Sequence, residues 1–219
     1  MNFIAATVVL KSLLPDSVSA YGLSYRAADA VVPASRSNAE VKVRLLCYDN
    51  PGAKLNAFSS WAPESRALIT GNLMFSDDPA APFDLIVSTI ETTVPQTMYC
   101  NQVVLGNAFF GSDEIQPRKN SMVATKIGST LDNSDITTWL WLETHESRKK
   151  KLADRLRKGR VCCVHGYLRE YRKDADNSPY RAIVATDFTT RAEKSSAAGN
   201  PQTNGTAAGY GELDPTPDY

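Results

Sequence analysis

Hydrophobic and polar residues alternate with a period of two along much of this chain, which is the pattern of half-buried β-strands. The clearest run extends from Glu40 to Tyr48, where Val41, Val43 and Leu45 alternate with lysine and arginine. Similar runs predict strands over residues 3–13, 40–48, 66–75, 83–90, 100–110, 121–128, 137–144, 160–171 and 180–190, with a weaker strand after the first. The pattern therefore predicts an all-β chain.

The chain also repeats itself. The sequence Ile-Thr-Gly-Asn-Leu at 69–73 corresponds to Val-His-Gly-Tyr-Leu at 164–168, and a segment that begins Pro-Phe at 82 corresponds to one that begins Pro-Tyr at 179. The offset is 95 residues at the glycines and 97 at the prolines. Because this period is too long for a solenoid repeat, it indicates two copies of one small domain.

In each copy, three strands precede a helix or helix-like connection and two strands follow it. This is the order of the five-stranded Greek-key barrel called the OB-fold. In the second copy the connection is predicted to be a helix from Glu146 to Lys158, with Leu152 and Leu156 on one face and Gly159 as its stop.

We therefore expect one OB-fold domain at residues 1–95, a second at 96–191 and a tail at 192–219. In the first domain, a short helix over 54–60 is predicted to form the connection. The tail is rich in Ala, Gly, Asn, Ser and Thr and has no apolar periodicity, so it is predicted to be disordered.

The formal net charge is zero, but the charge is unevenly distributed. Residues 1–95 contain seven Lys and Arg against nine Asp and Glu, a net charge of −2, and residues 96–191 contain sixteen against eleven, a net charge of +5. The tail contains one against four, a net charge of −3. A basic middle segment favours a polyanionic partner, and an acidic tail is typical of an interaction segment.

The third strand of the second copy has a face rich in rings. Its alternation places Trp139, Trp141, Glu143 and His145 on one side and the two intervening leucines on the side that we assign to the core. An aromatic face of this kind is costly to leave in water, so it indicates a binding or packing surface.

The fourth strand of the second copy extends this face. Tyr167, Arg169 and Tyr171 are expected to point away from the core, opposite to Val164 and Leu168. Rings stack on bases and cations bind phosphates; each base–ring stack contributes about 1–3 kcal/mol and tolerates any sequence. These residue types indicate a surface for single-stranded nucleic acid, and packing against the other copy or a partner subunit stays open as the alternative.

Cations near this face are the candidate phosphate contacts. They are Arg169, Arg172, Lys173 and Arg181. The weaker binding candidates are Lys126 and Arg148 in the second copy and Trp61 and Tyr48 in the first. Because the first copy has Asn72 and Met74 where the second has a tyrosine and an arginine, we expect it to serve mainly structure or pairing.

Nothing in the sequence points to an enzyme or to a cofactor. The chain contains no P-loop, no dinucleotide-binding glycine motif, no zinc-protease motif and no serine-hydrolase motif. His145 and His165 have no acidic partner at ligand spacing, so no metal site is predicted. The four cysteines lack CxxC spacing and are expected to be reduced thiols of a cytoplasmic protein.

The second copy resembles the bacterial and phage single-stranded DNA-binding proteins over about residues 101–190. The resemblance lies in a Thr-x-Trp strand at 137–142, a helix that ends Lys158-Gly159, and the strand Val-Cys-Cys-Val-His-Gly-Tyr-Leu-Arg at 161–169. Both the order and the spacing of these motifs agree with the family pattern.

This resemblance implies roles for individual residues. Trp139 would be a stacking tryptophan, His145 would replace a neighbouring stacking aromatic, and Tyr171 would stand in for the aromatic of the final hairpin, with Lys173 at or near that position. Members of the family usually assemble four OB-folds, so two OB-folds per chain imply a homodimer.

The family also has an acidic C-terminal tip that recruits replication and repair proteins. By similarity, the partner-binding tip here would include Asp214, Asp218 and Tyr219. This tip has fewer acids than the family pattern, and it ends in tyrosine in place of Pro-Phe.

The leading hypothesis is a sequence-nonspecific single-stranded DNA-binding protein of replication, recombination and repair, cytoplasmic and associated with the nucleoid. One alternative is an RNA-binding OB-fold protein, because OB-folds bind both polymers. A second is a non-enzymatic protein-interaction adaptor whose nucleic-acid surface has decayed, which the neutral total charge favours.

Overall fold

The computed structural model describes residues 2–18, 22–35, 39–48, 58–74, 83–130, 137–172 and 179–191. The strands are β1 (Asn2–Leu13), β2 (Ser17–Val18), β3 (Ser24–Val32), β4 (Val41–Tyr48), β5 (Arg66–Met74), β6 (Phe83–Glu91), β7 (Asn101–Phe110), β8 (Gln116–Arg118), β9 (Met122–Thr130), β10 (Thr137–His145), β11 (Val161–Arg172) and β12 (Pro179–Thr190). The predicted all-β fold class is confirmed. The predicted disorder of residues 192–219 lies outside the described residues.

Two short strands, β2 and β8, are additions to the predicted set. At two and three residues they are too short to show a period of two. Each pairs with the strand that follows it, β2 with β3 and β8 with β9. The longer strands lie where the sequence predicts them, with ends that differ by at most two residues.

Five strands of the first half of the chain pair into a closed ring, which we call ring one. β1 pairs antiparallel with β3 and β5, β3 pairs with β4, and β5 pairs with β6. β4 closes the ring by pairing parallel with β6. Closure pairs each strand of the ring with two others, so most of its backbone polar groups are satisfied within the sheet.

The second half repeats these pairings in what we call ring two. β7 pairs with β9 and β11, β9 with β10, and β11 with β12, and β10 runs parallel to β12. Antiparallel pairing of β1 with β7, from Asn2↔Leu105 to Ala6↔Asn101, joins the two rings in one sheet. The domain boundaries at residues 95 and 191 stay a prediction.

The core faces follow the alternation. Val41, Val43 and Leu45 of β4 are buried, as are Val164 and Leu168 of β11. The two β11 positions are ones assigned to the core from sequence, whereas in β4 Leu46, which alternates with Val43 and Leu45, is buried as well.

The repeated glycines mark the same irregularity in both rings. The strand register shifts at Thr70/Gly71 in ring one and at His165/Gly166 in ring two, which is the signature of a β-bulge. A Cβ at either glycine would overlap a backbone carbonyl of the neighbouring strand, at Ile86 and Val184 respectively. Steric exclusion therefore accounts for the glycine that both copies keep.

The predicted helix at 146–158 is wrong in length. A 3-10 turn at Glu146–Arg148 leads into α1 (Lys149–Ala153), and turns follow to Gly159. Lys150 and Lys151 lie in the last turn of this five-residue helix, where the helix dipole favours positive charge, whereas Asp154 at the C-cap places an acid where the dipole disfavours it. In ring one, residues 58–60 are helical, and 54–57 lie outside the described residues.

Two predicted features of this region are confirmed. Leu152 and Leu156 are both buried, as their spacing predicts. Gly159 has a φ of 78°, in the left-handed region that glycine adopts without strain, so it ends the segment as expected.

The four cysteines are thiols in this structure. Burial raises the pKa of the Cys162 thiol to about 12, so this thiol stays protonated at neutral pH. Among the described residues, no helix has the length and apolar character needed to cross a membrane.

Candidate nucleic-acid interface

Trp139 is the most exposed large ring of β10. Its side chain is 44% exposed, and the ring of Phe109 meets it edge-on, with centroids 5.5 Å apart and planes at 82°. Beneath it lie Gly111 and Gly128, where an added Cβ would overlap the indole; at Gly128 the nearest indole atom would be 2.9 Å away. The two glycines therefore make room for the indole against the barrel wall while it stays accessible.

Trp141 lies two residues further along β10 and has different surroundings. The guanidinium of Arg118 lies 4.5 Å from its ring centroid, and the Lys126 ammonium lies 5.6 Å from it. The ring of Tyr180 lies 6.2 Å away, tilted by 38°. Both cations are within the distance at which a tryptophan ring attracts positive charge.

Tyr171 and Tyr180 continue this row of rings with centroids 5.8 Å apart. The Tyr171 hydroxyl donates to Glu143 Oε2 at 2.7 Å, and Glu143 is 2% exposed. The Arg169 guanidinium lies 4.3 Å from the Tyr171 ring centroid. The buried carboxylate thus fixes the tyrosine from below, and the arginine lies over its ring.

Burial is the largest cause that raises the pKa of both tyrosines well above the usual value, and Glu143 adds to it. For Tyr180, nearby Arg118 acts in the opposite direction. Both hydroxyls therefore stay protonated across the physiological range.

Strand register explains why these side chains meet. Trp141 is paired with Lys126 on β9 and with Ala182 on β12, and Ala182 is paired with Arg169 on β11. Paired residues point to the same side of a sheet, so the four lie in one row across ring two. The small alanine leaves space within the row for the larger neighbours.

We call the outward face of ring two the aromatic–cationic surface. Its members share an outward position on β8 to β12 and a ring or a positive charge. They are Arg118, Lys126, Trp139, Trp141, Tyr167, Arg169, Tyr171 and Tyr180.

The fold has counterparts among solved structures. The wild-type single-stranded DNA-binding protein of Thermus aquaticus matches at 16% identity and a TM-score of 0.59, over 93% of this chain and 98% of that chain. A deletion mutant of that protein, which also carries one substitution, matches at 15% identity and a TM-score of 0.60, with the same coverage. The chain shares their fold.

The predicted resemblance to single-stranded DNA-binding proteins is thus confirmed at the level of the fold. No protein-family model matches the sequence, and no curated protein matches it. At such low identity, the residues of the aromatic–cationic surface have to be argued from their own geometry.

Arg181 is a correction to the predicted site. Its Nε lies 3.1 Å from Glu170 Oε2, and the two side chains are 8% and 7% exposed. Because it is held in this buried ion pair, Arg181 does not belong to the aromatic–cationic surface, contrary to the expectation that it lies near the ring-bearing face.

Trp61 is a second correction. It is 3% exposed and packs edge-on against Phe58 in the core of ring one, with ring centroids 6.4 Å apart. A base has no access to this indole in the folded chain. Tyr48, the other weak candidate of ring one, lies at the end of β4 with its ring 5.6 Å from that of Tyr25.

Two further candidates have structural partners. The Arg148 guanidinium donates to the carbonyls of Ala185 and Thr186, which ties the 3-10 turn to β12. His145 is exposed, and its Nδ1 accepts from the Ser147 backbone N–H at 3.2 Å, so it caps that turn. The histidine ring stays accessible as a binding group.

Several predicted residues lie outside the described part of the structure. Lys173 and the tail residues Asp214, Asp218 and Tyr219 are among them, and of Arg172 only the backbone, at the end of β11, is described. Their predicted roles stay predictions.

Sequence reasoning missed Arg118, Phe109 and Tyr180. Tyr180 is the second residue of the last strand and shares the parity of Ala182, so alternation was a usable signal for it. Arg118 lies on the three-residue strand β8, and nothing in its sequence neighbourhood connects it with Trp141. Among the described residues, no group of three or more His, Cys, Asp or Glu side chains is placed to hold a metal ion.

Ring one presents a different row at the equivalent register. Arg44 pairs with Asp29 on β3 and with Asp84 on β6, and Asp84 pairs with Met74 on β5. The Arg44 Nε lies 3.8 Å from Asp29 Oδ1. Burial raises the pKa of Asp84, and Arg44 opposes this shift. This row holds an ion pair and a second acid instead of rings.

Proposed function

We propose that this protein binds single-stranded DNA without sequence preference through the aromatic–cationic surface of ring two. The observation that supports this proposal best is the exposed indole of Trp139, held against Gly128 beside a row of rings and cations. Bases stack on the accessible ring, and cations such as Lys126 and Arg169 contact the phosphates. The shared fold is consistent with this role.

This proposal includes the finer roles expected from the sequence. The protein would protect and organise exposed strands in replication, recombination and repair, in the cytoplasm and on the nucleoid. Two chains would form a homodimer that presents four OB-folds, and the C-terminal tip would contact other proteins. The mass of the protein in solution, with and without a long oligonucleotide, tests the assembly directly.

The binding itself is tested by tryptophan fluorescence during titration with oligo-dT. We expect strong quenching at low salt, and Trp139→Ala removes most of it while weakening binding by about 1–3 kcal/mol. Trp61→Phe is the matched control, because a buried indole contributes a signal that DNA does not quench. Absence of quenching at low salt would contradict the proposal.

Salt dependence and competition complete this test. If about five phosphates are neutralised, log K falls with log salt at a slope of roughly −3.5, using the single-strand coefficient. Competition with oligo-U at matched salt distinguishes DNA from RNA, since only a contact to the 2′-OH separates the two polymers at one site. Tighter binding of oligo-U would replace DNA by RNA as the ligand.

A further inference from the structure

We propose that Trp141 is a positioning residue: its ring holds Arg118 and Lys126 where they bind phosphates of the strand, and base stacking at this end of β10 is left to Trp139. This inference rests on the proposed function and refines it. It separates two tryptophans that the sequence presents as equivalent members of one face.

The first argument is that the two indoles differ in how far neighbouring groups already cover them. Trp141 is partly buried and already contacts the Arg118 guanidinium at 4.5 Å, the Lys126 ammonium at 5.6 Å and the Tyr180 ring at 6.2 Å. A base that stacked on this indole would displace one of these groups. Trp139 has an edge-on contact with Phe109 and stays 44% exposed, so its ring is available to a base.

The second argument concerns how a cation is held. An ion pair uses the N–H groups of an arginine, whereas a cation over a ring keeps them for another acceptor. Arg118 contacts two rings, with its guanidinium 4.5 Å from the centroid of Trp141 and 5.5 Å from that of Tyr180. Its Nε is buried, so a phosphate contact is left to the terminal N–H groups of the guanidinium.

The third argument is pre-organisation. Arginine and lysine lose much rotamer freedom when they are fixed on a ligand, and this loss weakens binding. Arg118 and Lys126 lie on different strands, β8 and β9, and meet over the same indole. Trp141 thus orders two cations before DNA arrives. The nearby carboxylate, Glu143, is buried and accepts from Tyr171, so it does not take the place of a phosphate as the partner of either cation.

The test compares salt slopes for oligo-dT binding in Trp141→Leu, Trp141→Phe and Trp139→Ala. Trp141→Leu should flatten the slope by up to about 1.4, because each of two phosphate contacts contributes about 0.7. Trp141→Phe keeps a ring and should keep the wild-type slope. Trp139→Ala should weaken binding about 5- to 150-fold at every salt concentration with an unchanged slope. Circular dichroism of each variant confirms that it is folded.

A variant that lacks both cations tests whether Trp141 acts through them. Arg118→Gln/Lys126→Gln should flatten the slope as much as Trp141→Leu does, and adding Trp141→Leu to this pair should flatten it no further. A Trp141→Leu variant that keeps the wild-type slope but weakens binding equally at all salts would overturn the inference, since that is the behaviour of a stacking residue.

A measurement on the free protein separates this inference from the proposed function. Protons on Arg118 Cδ and Lys126 Cε should show upfield ring-current shifts by NMR. Trp141→Leu should remove the shift at Lys126 and reduce the one at Arg118, which also lies 5.5 Å from the Tyr180 ring centroid. If these shifts are absent, the positioning role is wrong even where DNA binds. If they are present and oligo-dT does not bind, the proposed function has failed, and the phosphate role of the two cations fails with it.

Discussion

The two rings share one backbone plan and differ in the chemistry of one row of side chains. In ring one, Arg44 lies between Asp29 and Asp84, so the positive charge is paired within the sheet. In ring two, the same register holds Trp141 between Lys126 and Ala182. A tryptophan thus occupies the position of the arginine, and a lysine and an alanine occupy the positions of the two aspartates.

This comparison shows how a surface is opened to an anionic ligand without altering the fold. Where an acid lies beside an arginine, as Asp29 lies beside Arg44, the positive charge is offset within the protein. Where a tryptophan lies beside cations, the charges stay available and a flat apolar surface is added.

The largest expected effect concerns the buried ion pair between Arg181 and Glu170, which ring one lacks at the corresponding position. Ring one has Phe83, which is buried, where ring two has Arg181. Arg181→Met leaves Glu170 as a buried carboxylate without this partner, and we expect a loss of about 3–5 kcal/mol in the free energy of unfolding. Urea denaturation measures this.

The control for that variant is the double change Glu170→Leu/Arg181→Phe, which imitates ring one and should restore much of the lost stability. The salt slope of oligo-dT binding should stay at the wild-type value in both. A slope reduced by about 0.7 with unchanged stability would instead show that Arg181 contacts a phosphate, as the sequence suggested.

The next effect compares the binding surfaces themselves. Trp139→Ala/Lys126→Ala removes one stack and one phosphate contact from ring two, and we expect binding to oligo-dT to weaken by about 2–4 kcal/mol. The register-matched control in ring one is Lys42→Ala/Asp29→Ala, which should change the affinity less than about threefold. Equal losses, measured by the fluorescence anisotropy of labelled oligo-dT, would mean that both rings bind DNA.

A smaller gain is expected from moving the chemistry of ring two into ring one. Asp29→Lys/Arg44→Trp recreates the cation and the ring at the matching register, and oligo-dT binding should tighten by about 1 kcal/mol at low salt. Asp29→Ala alone is the control for the removal of one acid. If the double variant binds no tighter than this control, the contrast between the rings lies outside this row.

Much of the fold could be predicted because alternation is a strong signal in strands of nine to twelve residues, such as β1 and β11. The shared plan of the two copies was also visible, since a Cβ at Gly71 or Gly166 would overlap a neighbouring carbonyl. The helix was predicted too long, because the spacing of Leu152 and Leu156 reports burial but not whether the backbone between them stays helical.

The site could be predicted only in part, and Arg181 shows why. When the two copies are aligned at their prolines, Asp84 corresponds to Arg181. In the strand register, Asp84 corresponds instead to Ala182, since Asp84 faces Met74 and Ala182 faces Arg169. A slip of one residue moves every side chain to the other face of the sheet, so Arg181 was assigned outward and is buried. Arg118 was missed because its contact with Trp141 joins β8 to β10, two strands that are not paired, and such a contact leaves no pattern in the local sequence.

The smallest expected effect is an alkaline one. Burial raises the pKa of Tyr171 and Tyr180 above that of an unfolded tyrosine, which is about 10. Their contribution to stability is complete below that pKa and is lost as the pH rises above it, because the unfolded chain then releases protons that the folded chain retains. At pH 10.5 we expect a loss of roughly 0.5 kcal/mol per ring, allowing for solvent screening.

Urea denaturation at pH 8 and at pH 10.5 measures this loss, and Tyr171→Phe/Tyr180→Phe should reduce it. In ring one, burial also raises the pKa of Tyr48, so Tyr48→Phe should act in the same direction but less, with one hydroxyl removed against two. If the double variant loses as much stability as the wild type between these two pH values, Tyr171 and Tyr180 are more solvated than the contact of Tyr171 with Glu143 indicates. The two rings would then differ less in their burial of tyrosine hydroxyls than in their surface charge.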